Sequence, residues 1–142
     1  AKTVWKPRFE RISDDPMIFF DGSHNPQGIT EAVRSIKQYF GENKVIIVTG
    51  VMADKDYSEM VSMISSVAAE VFTLTPDNPR SLSADKLADI YNLSGVKATA
   101  SSSVSEAVSN ALVSAKEKQL PIFALGSLYM YSEVKNAVIK AK

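Results

Sequence analysis

The chain of 142 residues has the size of one domain, and its 45% hydrophobic residues are enough to fill one core. Sixteen basic residues balance sixteen acidic ones, which excludes a long-range pull on nucleic acid or an anionic membrane. With no cysteine there are no disulfides, thiolate zinc sites or thiol nucleophiles, as suits a reducing compartment.

No apolar run approaches the ~20 residues that span a bilayer, and Ala1-Lys2-Thr3-Val4-Trp5-Lys6-Pro7-Arg8 is not a signal peptide, so the cytoplasm is the expected location. The chain starts without Met and reads at once into structured sequence, which suggests one part of a longer protein.

In chain order, Phe9 to Ser13, the turn residues Asp14-Asp15-Pro16 and then Met17 to Asp21 predict a β-hairpin. Its second strand is apolar on both faces, as a strand covered by helices on both sides must be. Ile29, Val33, Ile36 and Phe40 fall at helical spacing and predict a helix from Pro26 to Phe40, with Asn25 as N-cap, Pro26 at the first helical position and Gly41 at its end. Strands are then predicted at Val45–Val48, Val71–Leu74, Val96–Thr99 and Ile122–Leu125. Helices are predicted at Tyr57–Ala69, Ser83–Leu93, Val104–Lys118 and Glu133–Lys140. This alternation implies right-handed crossovers and a doubly wound α/β domain, mostly parallel, with an antiparallel hairpin at its start. The whole of 1–142 is read as a single domain.

In such sheets ligands sit beyond the carboxyl ends of the strands. The richest loop there is Asp21-Gly22-Ser23-His24-Asn25-Pro26, with an acid at the strand end, a glycine for a tight turn and the chain's one histidine before a helix N-terminus. Asp21 is suited to a ribose hydroxyl or a metal-bound water and His24 to phosphate oxygens; the alternative is that both merely tie the turn together. Asp54, Lys55 and Asp56 follow the next strand and read as a solvated loop with Asp56 as N-cap. Arg80, after Asn78-Pro79, is placed either to receive a carboxylate bidentately or to form a surface ion pair. Gly126-Ser127 leaves the last strand. Neither Gly-x-x-x-x-Gly-Lys-Ser/Thr nor Gly-x-Gly-x-x-Gly occurs, so an ATP phosphate cradle would have to come from another segment. One histidine and no cysteine argue against a structural zinc site.

Four blocks together resemble the C-terminal, Rossmann-like domain of the Mur ligase superfamily, and most of all its folylpolyglutamate synthase and dihydrofolate synthase branch. Trp5-Lys6-Pro7-Arg8-Phe9-Glu10 is similar to the family's Trp-Pro-Gly-Arg-x-Glu, and Asp21-Gly22-Ser23-His24-Asn25-Pro26 to its Asp-Gly-Ala-His-Asn-Pro. Gly50-Val51-Met52-Ala53-Asp54-Lys55-Asp56 is similar to its Gly-x-x-x-Asp-Lys-Asp, and Gly126-Ser127-Leu128-Tyr129 to its Gly-Ser-Leu-Tyr. Lys6-Pro7 departs from Pro-Gly, Ser23 replaces Ala, and Asp77-Asn78-Pro79-Arg80 resembles the amino-acid-binding motif of the peptidoglycan members.

The resemblance implies an ATP-dependent ligase that adds L-glutamate to a folate or dihydropteroate through an acyl phosphate. An N-terminal P-loop domain, absent from this chain, would bind ATP and hold most of the Mg2+ coordination; no metal ligand is expected here. This domain would close over the nucleotide, with Arg8 on the phosphates, Asp21 on the ribose, and His24 (also the catalytic candidate) with Asn25 in the phosphate region. Ser127 and Arg80 are the candidates for the amino-acid substrate. The isolated domain is expected to be inactive, and the enzyme a monomer without nucleic-acid or membrane partners. The alternatives are a UDP-muropeptide amino-acid ligase domain and a stand-alone α/β module that binds a nucleotide or small anion.

Overall fold

A computed structural model describes residues 9–54 and 56–141. A six-stranded sheet runs in the order β1-β2-β6-β3-β4-β5, where β1 is Glu10–Asp14, β2 Met17–Asp21, β3 Val45–Thr49, β4 Ala68–Thr73, β5 Ala98–Ala100 and β6 Ile122–Leu125. β1 pairs antiparallel with β2, and every other pairing is parallel. β3 and β6 are buried at every position, as their unbroken apolar runs demand of strands covered on both faces.

Helices α1 (Pro26–Phe40), α2 (Tyr57–Ser65) and α3 (Ala84–Leu93) cover one face, where Ile29, Ile36, Met60, Ile64, Leu87 and Tyr91 pack on Phe19, Ile47, Val71 and Phe123. Helices α4 (Val104–Lys118) and α5 (Tyr131–Ala141) cover the other, through Val108, Ala111, Val134 and Val138 against Ile18, Ile46, Val48 and Phe72. Asn25, Ser83 and Ser103 cap α1, α3 and α4 through their side-chain oxygens. No helix among the described residues is long and apolar enough to cross a membrane.

The chain builds outward from β2 over α1 to β3, β4 and β5, then returns under the opposite face through α4 to insert β6 between β2 and β3. The helices that follow β2 and β3, α1 and α2, therefore lie on one face, while α5, which follows β6 between them, lies on the other. That is the topological switch of a doubly wound sheet, where loops diverge and leave a crevice beyond the strand ends.

The main departure from expectation is at α2 and β4. The helix stops at Ser65 instead of Ala69, and the strand starts at Ala68 instead of Val71. The Ser66 and Val67 N–H groups close the last turn onto the Met63 and Ile64 carbonyls, and Ala68 pairs with Val45. Ala68-Ala69-Glu70 favour helix locally, and strand pairing overrides that preference. Asp56 stands at the N-cap position of α2 but its side chain makes no cap bond. The last helix starts at Tyr131, after a 3-10 turn at Leu128–Met130. β5 lies at 98–100 rather than 96–99.

Candidate functional site

The loop after β2 is organised by its acid. Asp21 is 2% exposed; its Oδ1 accepts from the Ser23 N–H at 2.9 Å and from the Ser23 hydroxyl, and its Oδ2 accepts from the Phe9 N–H at 3.1 Å. Burying a carboxylate costs free energy unless it is hydrogen-bonded, and these donors meet that cost. Asp21 thus ties the turn after β2 to the chain at Phe9. The same bond brings the chain in beside the carboxyl end of β2 at Phe9, whose ring packs 4.9 Å from Phe19 and 5.0 Å from Phe123. Arg8, the expected phosphate ligand, and Lys55 lie outside the described residues.

With the turn fixed, His24 is half-buried, its Nδ1 lying 3.3 Å from the Gly22 carbonyl oxygen. A proton on Nδ1 satisfies that contact and leaves Nε2 for a ligand. Asn25 is exposed and its Oδ1 accepts from the Gly28 N–H at 2.9 Å, so its acceptor serves the helix cap and its amide N–H groups remain available.

Two glycines bring the neighbouring loops together. Gly126 has φ 113°, and a Cβ there would lie 2.5 Å from Thr49 Oγ1 and 2.6 Å from the Gly50 carbonyl oxygen; its N–H donates to the Ser23 carbonyl at 3.0 Å. At Gly50 a Cβ would meet the Leu74 carbonyl oxygen at 2.7 Å and Pro76 Cδ at 2.8 Å. The loops after β2, β6, β3 and β4 are therefore in backbone contact in that order. The last two are zipped further, by Ala53 N–H to the Arg80 carbonyl at 2.7 Å, Leu82 N–H to the Val51 carbonyl at 2.9 Å and a Met52–Ser81 bridge.

These loops enclose a cavity of about 320 Å³ lined by His24, Met52, Arg80, Ser127, Leu128 and Tyr129. An imidazole, a guanidinium and a hydroxyl converge there on an apolar wall, as expected of a small-molecule site. Ser127 is only 1% exposed and its Oγ accepts from the Tyr129 N–H at 3.2 Å, which leaves its hydroxyl hydrogen as the donor. Arg80 Nη1 donates to Asp54 Oδ2 at 2.9 Å. On the other side of His24 a hollow of about 190 Å³ is lined by Gly22, Ser23, His24, Asn25, Gln27, Gly28 and Glu31. His24 is thus the wall shared by two adjoining cavities.

The family model described as Mur ligase, glutamate ligase domain matches residues 7–127. The chain belongs to this family. Among relatives of the glutamate ligase domain described here, the folylpolyglutamate synthase of Lacticaseibacillus casei is 31% identical over 143 residues, covering 100% of this chain and 32% of that protein. The solved structure of E. coli FolC in complex with ADP superposes with a TM-score of 0.83 at 25% identity, covering 99% of this chain and 33% of that one. The Yersinia pestis bifunctional folylpolyglutamate synthase/dihydrofolate synthase, complexed with AMPPNP and a manganese ion, gives 0.71 at 26% identity, covering 97% and 31%. The glutamate ligase domain spans about a third of the length of these relatives.

The geometry thus brings together His24, Ser127 and Arg80, three of the residues singled out in the sequence, and places Asp21 and Asn25 beside them as supports of the turn. Met52 in the cavity wall escaped the sequence reading, and Asp54 is the unforeseen partner in the surface ion pair that was one of the two expectations for Arg80. Met52 carries no chemical signal; its only mark is its place two residues beyond Gly50. Among the described residues, no group of three or more His, Asp or Glu is disposed to hold a metal ion.

Proposed function

We propose that this domain is the C-terminal part of an ATP-dependent ligase that adds L-glutamate to a folate or dihydropteroate, closing over the nucleotide and helping to form the amino-acid site. The observation that carries the proposal is the position of His24 between two cavities, one at a helix N-terminus and one lined by Arg80 and Ser127. The nucleotide partners of two relatives, ADP and AMPPNP, support the same reading.

The described residues fit the edge of a nucleotide but not a whole one. The 190 Å³ hollow has room for a phosphate-sized group, with donors from His24 and the Asn25 amide beside the α1 N-terminus. The phosphate cradle and the Mg2+ are assigned to an N-terminal P-loop domain, with Arg8 reaching the phosphates on closure. ATP supplies the phosphoryl group that activates the acceptor carboxyl as an acyl phosphate; the glutamate amine attacks the carbonyl carbon, the C–O bond to phosphate breaks, and the amine loses a proton.

For that chemistry His24 offers Nε2 at the boundary between phosphate and amino acid. There a protonated ring donates to oxygens that gain charge, and a neutral one accepts from the amine. Arg80 supplies donors to a substrate carboxylate, and the Ser127 hydroxyl hydrogen adds one from the facing wall. Asp21 holds the turn that carries His24 and is the candidate for a ribose hydroxyl. Closure of the domain would keep the acyl phosphate from water.

A muropeptide ligase is the second reading, favoured by Arg80, which lines the cavity from the Asp77-Asn78-Pro79-Arg80 turn. The test is ADP release by the full-length enzyme with Mg2+, L-glutamate and either dihydropteroate or a reduced folate, beside this chain alone. Glutamate- and folate-dependent release by the full-length enzyme, with none from the chain alone, supports the proposal. Turnover only with a UDP-muropeptide acceptor selects the second reading, and indifference to ATP returns the chain to a binding module.

A further inference from the structure

Arg80 is held unusually firmly at its backbone and by a single bond at its side chain. Its N–H donates to Asn78 Oδ1 at 2.9 Å and its carbonyl accepts from Ala53 at 2.7 Å, so the Cα cannot drift relative to the loop after β3. The side chain is 63% exposed and meets Asp54, 44% exposed, through Nη1. Arg80 lines the cavity and Asp54 does not. The carboxylate therefore grips the guanidinium from outside the cavity by one edge.

We infer that Asp54 is a positioning residue, which holds the Arg80 guanidinium in the cavity wall with its remaining N–H donors presented to a ligand carboxylate. The inference rests on the reading that this cavity takes the amino-acid substrate. A free arginine side chain on a surface loop samples many rotamers, and each must be given up when a carboxylate binds. A fixed neighbour held by the zipped loops removes part of that loss before the ligand arrives. The pair spans 26 positions in sequence and joins two loops whose backbones come close at Gly50.

An exposed pair is weak, so the effect is small and measurable. In the full-length enzyme, Asp54→Ala should raise KM for L-glutamate about three- to fivefold, with kcat and KM for ATP changing less than about twofold. Asp54→Asn keeps an acceptor oxygen and should recover most of the loss. Arg80→Ala should raise KM for L-glutamate about tenfold or more, as loss of a charged carboxylate contact does, and adding Asp54→Ala to it should change nothing further. A lower or unchanged KM in Asp54→Ala, or the same rise with and without Arg80, overturns the inference while leaving the cavity assignment intact. An unchanged KM in Arg80→Ala overturns both.

Discussion

The two ends of the sheet make opposite use of their space. At the amino end a hollow of about 700 Å³ lies between the β1–β2 turn, the end of α4 and the approach to β6, lined by Asp15, Pro16, Met17, Leu112, Ala115, Lys116, Gln119, Leu120, Pro121 and Ala141. At the carboxyl end the cavity is less than half that size, yet it alone gathers an imidazole, a guanidinium and a hydroxyl. Size does not mark the site. What marks it is the insertion of β6 between β2 and β3, which brings the loops after these three strands together, with the loop after β4 zipped alongside them.

The strongest way to break this contrast is His24→Ala in the full-length enzyme. Ligation should fall about a hundredfold, as loss of one well-placed donor to developing charge does, with an unchanged urea midpoint. A normal rate would return His24 to a turn residue. Asp21→Ala comes next: it orphans the Ser23 and Phe9 amide hydrogens and should cost about 2–3 kcal/mol, read as a lower urea midpoint together with slower turnover. A slower rate at full stability would instead favour direct ligand contact by Asp21.

Glu70 provides a carboxylate away from the loops. It is 5% exposed on β4, accepts from the Ser114 hydroxyl at 2.6 Å and lies 3.4 Å from Lys118 and 3.6 Å from Lys97. Burial pushes its pKa up, but the Ser114 and Lys118 hydrogen bonds and the two ammonium charges outweigh it and hold the group below its ordinary value. Its stabilisation is therefore present above the unfolded carboxyl pKa and is lost as pH falls through the lower folded one. Glu70→Gln should cost about 1 kcal/mol at neutral pH, and the gap should close at acid pH, with ligation unchanged at 25 °C.

The smallest expected effect belongs to the amino-end hollow. Gln119 ends α4 at φ 56°, a left-handed cap that glycine adopts without strain. Gln119→Gly relieves the left-handed penalty at the cost of a freer unfolded chain, so it should raise stability by about 0.5–1 kcal/mol and leave kinetics untouched. A change in KM there would show that the larger hollow has a ligand of its own.

Much of this was legible in the sequence. Apolar runs such as Val45–Val48 and Ile122–Leu125 can be satisfied only inside a covered sheet, and caps such as Asn25 and Ser103 set their helix starts by local chemistry. The α2–β4 boundary was not legible, because Ala68-Ala69-Glu70 become strand only by pairing with β3. His24 stood out as a lone histidine at a strand end. The Asp54–Arg80 pair did not, because neither residue carries any local sign of the other across two loops.

The most direct test of the account is glutamate- and folate-dependent ADP release by the full-length enzyme with Mg2+, measured for wild type, His24→Ala and Gln119→Gly side by side. Release should require both substrates, be abolished or nearly so in His24→Ala and be normal in Gln119→Gly. Release that ignores L-glutamate, or that survives intact without the His24 ring, would contradict it.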